Sequence, residues 1–121
     1  MNDQYLILNF RDQMLRLNMG AIVYIAADGN YCRIVSCNRA TITVTMTMQH
    51  ILELNDKAMQ GKPCRLVRIG KSCIINLDYI YRLDIPQQLI VLSDQRTFSE
   101  GIKVSAQAIR DLRELVLKLK Y

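Results

Sequence analysis

One short stretch restricts the fold of this chain more than any other. Ala21 to Ala27 (AIVYIAA) is a continuous apolar run with a β-branched and aromatic centre, and its length suits a buried strand rather than a helix. Asp28-Gly29-Asn30 follows at once. Gly and Asn tolerate the positive φ that a tight hairpin turn needs, so the chain must reverse here. Tyr31 to Cys37 then reads as the returning strand, with Tyr31, Arg33 and Val35 alternating against Cys32, Ile34 and Ser36. The alternation sets one group of side chains against the other without saying which is inside.

The rest of the chain reads around this hairpin. Tyr5 to Phe10 and Met14 to Leu17 form an N-terminal hairpin about Arg11-Asp12-Gln13. Thr41 to Met48 alternates Thr with Ile and Val over eight residues and reads as a third strand. From Met48 to Met59 the apolar residues fall at helical spacing, until Gln60-Gly61-Lys62-Pro63 stops them. Cys64 to Ile69 and Cys73 to Leu77 are short strands on either side of a break. Ile80 to Ile85 and Leu89 to Leu92 form another hairpin, and Thr97 to Ser99 reads as a short edge strand. Ser105 caps a final helix whose stripe is Ala108, Ile109, Leu112, Leu115, Val116 and Leu119. The expected class is mainly β and antiparallel, as one domain of 121 residues. Within it, residues 1–18 are an extension and 19–121 the core.

Charge singles out the break between the two short strands. From Lys57 to Leu77 there is no acid, while Lys57, Lys62, Arg65, Arg68 and Lys71 are all basic. These five equal the formal net charge of +5, so the excess is local, and a local excess suits an anionic partner. Gly70, Lys71 and Ser72 offer an exposed backbone and donor side chains that can lie against phosphates or enter a groove. A Lys can donate to the O6 and N7 acceptors of guanine. Few aromatic residues lie nearby, which disfavours binding of unpaired bases by stacking.

Other chemistries find little footing. Cys32, Cys37, Cys64 and Cys73 form no C-x-x-C pair, and the single His50 is near none of them, so no metal and no cofactor is expected. No nucleophile elbow, phosphate loop or carboxylate pair appears, and an enzyme is not expected. Cys37, Cys64 and Cys73 read as small buried hydrophobes. No apolar run approaches the roughly 18 residues needed to span a bilayer, and Met1-Asn2-Asp3-Gln4 lacks the positive start of a signal peptide, so a cytoplasmic protein is the expectation.

Two segments resemble a known family. Ile22-Val23-Tyr24-Ile25-Ala26-Ala27-Asp28-Gly29-Asn30-Tyr31-Cys32-Arg33-Ile34 is similar to its "I-x-Y-I-E-A-D-G-N-Y-T-R-I" signature. Arg68-Ile69-Gly70-Lys71-Ser72-Cys73-Ile74-Ile75-Asn76 is similar to "R-I-H-R-S-Y-I-V-N". In this order and spacing they resemble a LytTR-type DNA-binding domain from about Met19 onward. The resemblance implies an elongated, mainly β fold that inserts loops, rather than a recognition helix, into successive major grooves of duplex DNA. It also implies a bacterial transcriptional regulator acting on double-stranded DNA, with direct repeats, a homodimer on DNA or a separate regulatory protein as expected partners. Only about twenty residues precede the matched region, too few for the receiver domain that many members carry.

Residue by residue, the resemblance places DNA contacts at Cys32, beside Arg33 and after Asn30, and at Lys71, with Arg68 and Ser72 on phosphates. Arg65 adds to phosphate neutralisation. A third contact falls near Gln107, where Ala106 and Gln107 follow Val104-Ser105 in place of the family's Arg. Ala26 replaces the usual Glu and Gly70 the usual His. The competing expectation is a protein-interaction module that keeps the fold and has lost specific DNA readout.

Overall fold

The computed structural model describes residues 5–62 and 65–119. Its centre is a five-stranded antiparallel sheet of β3 (Ile22–Asp28), β4 (Tyr31–Ser36), β5 (Thr41–Val44), β6 (Leu66–Ile69) and β7 (Cys73–Asn76), in the order β5-β4-β3-β7-β6. The hairpin of β1 (Tyr5–Phe10) and β2 (Gln13–Asn18), together with α1 (Met48–Met59), packs on one face. A three-stranded sheet of β8 (Ile80–Asp84), β9 (Leu89–Ser93) and β10 (Ser99–Lys103), together with α2 (Ala106–Lys118), packs on the other.

Two hydrophobic cores therefore flank one sheet. Leu6, Leu8, Ile25, Cys32, Ile34, Val44, Ile51 and Ile74 fill the first, so the N-terminal hairpin is an integral layer of the fold. Tyr24, Ile75, Ile90, Leu92, Ile109 and Leu112 fill the second. Since β3 is covered on both faces, it reads as an unbroken apolar run rather than an alternation. A register shift between Ile22 and Tyr24 opposite β4 lets Val23 and Tyr24 both turn to the second core, while Ile22 and Ile25 face the first.

Two strands differ from the sequence reading. β5 ends at Val44, not Met48. The Thr47 hydroxyl accepts from the His50 amide and caps α1, so the alternating pattern runs out into a helix start. β10 begins at Ser99 rather than Thr97. Asp94 Oδ1 accepts from the amides of Arg96, Thr97 and Phe98, and those bonds bend the backbone into a turn that a strand cannot share. Elsewhere the elements agree to within a residue or so at their ends, Ala21 and Leu77 falling in short 3-10 turns instead of strands. The Ser105 cap is as expected, its Oγ accepting from the Ala108 amide at 3.1 Å. The expected start of β6 at Cys64 lies outside the described residues.

Candidate nucleic-acid interface

The basic segment folds into a tight hairpin. Leu66 pairs with Asn76 and Ile69 with Cys73, which leaves Gly70-Lys71-Ser72 as the connecting turn. Gly70 takes φ +67°, a left-handed conformation open to glycine at little cost. All three turn residues are exposed. Arg68, also exposed, folds back over the turn, and its Nη2 donates to the Lys71 carbonyl at 2.9 Å.

The second turn lies at the same end of the sheet. Asp28 pairs with Tyr31, so Gly29-Asn30 is a two-residue turn, with Gly29 at φ +63°. β3 forms one arm of this hairpin and also pairs with β7, setting Ala26 opposite Cys73. One step further on, the Ala27 amide donates to the Ser72 carbonyl at 2.9 Å. This bond joins the end of β3, just before one turn, to the last residue of the other. Asn30, Lys71 and Ser72 thus share one exposed edge.

The remaining site residues divide. Arg33 is exposed near that edge and lines an open cleft with Ala26, Asp28, Tyr31 and Thr43. Gln107 is exposed on the first turn of α2, and its Nε2 donates to Asp111 Oδ1 at 2.8 Å. Asp111, the partner of Gln107, lines a second cleft with Arg68 and Gly70, while Gln107 itself is not among the residues of that cleft.

Cys32 requires correction. Its side chain is 0 % exposed and faces the first core, leaving no thiol surface for a base. Burial also pushes this thiol up from its ordinary pKa. The exposed members of β4 near the turn are Tyr31 and Arg33. Tyr31, half exposed beside Asn30, is a surface residue that the sequence reading passed over. Its signal was the alternation along β4, since whichever set contains Cys32 excludes Tyr31.

Arg65 requires correction too. It precedes β6, at the far end of the strand from Gly70, and its Nε donates to Asp78 Oδ1 at 2.8 Å within an ion pair. The acid-free stretch of sequence therefore meets an acid in space. Of the expected small buried cysteines, Cys37 and Cys73 are half-buried, and burial pushes the Cys73 thiol up to about 11. Cys64 lies outside the described residues. No helix among the described residues is long and apolar enough to cross a membrane.

Asn76, the last residue of the second motif, holds the frame. Its buried amide donates to the carbonyls of Met19 and Ile22 at 3.3 and 2.8 Å, and its Oδ1 accepts from the Asp78 amide at 2.9 Å. These bonds fix the entry of β3 to the exit of β7, and with them the two strands that carry the turns.

An antiparallel sheet flanked by two layers carries a basic hairpin turn and a second exposed turn at one end, and this is the β architecture against which the family can be judged. The sequence matches the LytTr DNA-binding domain over residues 12–117, and the chain belongs to that family of DNA-binding domains. Among solved structures it is similar to the LytTr DNA-binding domain of a protein described as a putative methyl-accepting/DNA response regulator from Bacillus cereus. That likeness has 17% identity, covers 98% of this chain and 100% of the other, and reaches a TM-score of 0.65. No curated protein matches.

Proposed function

We propose that this domain reads specific sequences of duplex DNA as a transcriptional regulator and acts by binding, without catalysis. The supporting observation is the joined pair of turns: Gly29-Asn30 and Gly70-Lys71-Ser72 project from one end of the sheet and are tied through Ala27 and Ser72. Lys71 is the leading base reader, because it sits at the tip with its side chain exposed. Arg33, Asn30 and Ser72 supply backbone contacts on either side. Gln107, held by Asp111, approaches from α2.

The test is an anisotropy titration of the whole chain against a randomised duplex pool at two salt concentrations, with sequencing of the retained fraction. Enrichment of a motif is expected. On the selected site Lys71→Ala then costs about 1–3 kcal/mol and relaxes preference at one base position. Equal weakening on selected and random duplex would reduce Lys71 to a phosphate contact. Failure to retain any duplex at low salt would overturn the reading.

A further inference from the structure

The family resemblance placed Arg68 against a phosphate, but the geometry of the turn gives this residue a different task. Lys71 sits in the middle of the turn between Ile69 and Cys73, outside the ladder that pairs the two strands. Its carbonyl is taken instead by the Arg68 guanidinium at 2.9 Å. A hydrogen bond from a charged donor is stronger than one between neutral groups, and this one spans the hairpin mouth. The next carbonyl, that of Ser72, is taken by the Ala27 amide at 2.9 Å. Two successive carbonyls are thus tied to different strands, one to β6 and one to β3. Beneath them Gly70 holds its positive φ, with nothing within 4 Å of where a Cβ would be. The bonds, rather than packing, define the shape of the turn.

The surroundings support the same assignment. Arg68 shares a cleft with Gly70, Ala108, Leu112, Leu115 and Asp111, whose carboxylate already accepts from Gln107. Among the described residues Arg68 forms no ion pair, and its side-chain hydrogen bond goes to the turn itself. A side chain that only met phosphate would gain nothing from folding back on its own hairpin. One that fixed the neighbouring reader would gain what pre-organisation gives any binding loop, a smaller ordering cost when the partner arrives.

We infer that Arg68 is a positioning residue for Lys71: it clasps the Lys71 carbonyl, holds the 70–72 turn in its reading shape before DNA arrives, and sharpens base discrimination instead of neutralising a phosphate. The inference rests on the proposed DNA reading for its functional half. Its structural half concerns the free protein alone.

A double-mutant cycle separates the two roles. Wild type, Arg68→Ala, Lys71→Ala and the double variant are titrated on a selected duplex and on single-base variants of it across a salt series. A clasp acting through Lys71 predicts that Arg68→Ala weakens the selected site roughly 3- to 10-fold. It further predicts an unchanged salt slope, compressed base preference, and a double variant no weaker than Lys71→Ala. A phosphate contact predicts a slope smaller by about 0.9 and losses that multiply, and that outcome would overturn the inference.

Nitrogen-15 relaxation on the DNA-free protein gives the independent arm. Arg68→Ala is expected to lower the order parameters of the Gly70, Lys71 and Ser72 amides while leaving Ile74 and Ile75 unchanged. Unaltered order in the turn would also overturn the clasp. Because this arm needs no DNA, its failure is distinct from a failure to select any duplex.

Discussion

The Ala27 amide donates to the Ser72 carbonyl at 2.9 Å, and through that bond the two exposed turns of the sheet form one continuous edge. β3 supplies both halves of the arrangement, as the first arm of one hairpin and the pairing partner of the other. Turns joined in this way are held next to each other by the backbone of the sheet itself. They do not have to be ordered separately on a partner.

Gly70 supplies the left-handed backbone that this edge uses, and as glycine it does so without strain. At φ +67° an L-side chain is disfavoured, and the space that a Cβ would occupy is open, so steric clash is not a second cause. Gly70→Ala should therefore cost about 1 kcal/mol, and Gly70→Asn less, because Asn tolerates the left-handed region. Urea denaturation midpoints check this. An alanine variant as stable as wild type would mean that the turn does not need its positive φ.

Cys32 belongs to stability rather than readout. It is 0 % exposed, on the face of β4 that meets Leu6, Leu8 and Ile51. Cys32→Ser would put a hydroxyl among apolar side chains at a cost of about 1–3 kcal/mol. The ranking of duplexes should stay the same, measured at a temperature where the variant is fully folded. A changed ranking in the folded variant would return this position to the interface.

Arg65 separates from the other basic residues in the same way. Its pair with Asp78 joins side chains 33% and 49% exposed, so Arg65→Ala should cost no more than about 1 kcal/mol of stability. The slope of binding against salt should not change, because that charge is already matched and sits at the far end of β6. A slope reduced by about 0.9 would instead place Arg65 on a phosphate.

The sequence carried what local chemistry decides. Asp28-Gly29-Asn30 announced its hairpin because only certain residues accept that turn, and Ser105 announced α2 because a hydroxyl satisfies free helix amides. The alternation along β4 separated Tyr31 and Arg33 from Cys32 and Ile34. Which set was inside depended on the β1–β2 layer packed against the sheet, which β4 itself does not encode. Arg65 with Asp78, and Ala27 with Ser72, come together only when β6 and β7 close and join β3. The Arg68 clasp was hidden for a similar reason. A run of basic residues records charge, and the direction of a guanidinium is set by the turn it folds over.

Asp94 shows the same principle in a form that pH can test. Its carboxylate accepts from the Thr97 hydroxyl at 2.6 Å and from the amides of Thr97, Arg96 and Phe98, and these bonds hold it well below the usual carboxylate range, the Thr97 side chain contributing most. A carboxyl with a depressed folded pKa stabilises the fold above its unfolded value, near pH 4, and loses that contribution as the pH falls towards the folded value. Asp94→Asn removes the charge while keeping the shape. The gap in denaturation midpoint between wild type and Asp94→Asn should therefore be widest at neutral pH and hold down to about pH 4, then narrow on further acidification. Because these bonds also displace the start of β10 to Ser99, the amides of 96–98 should exchange faster in the variant. A midpoint gap that stayed constant through the acid range would show that the bonds to Thr97 act without the charge.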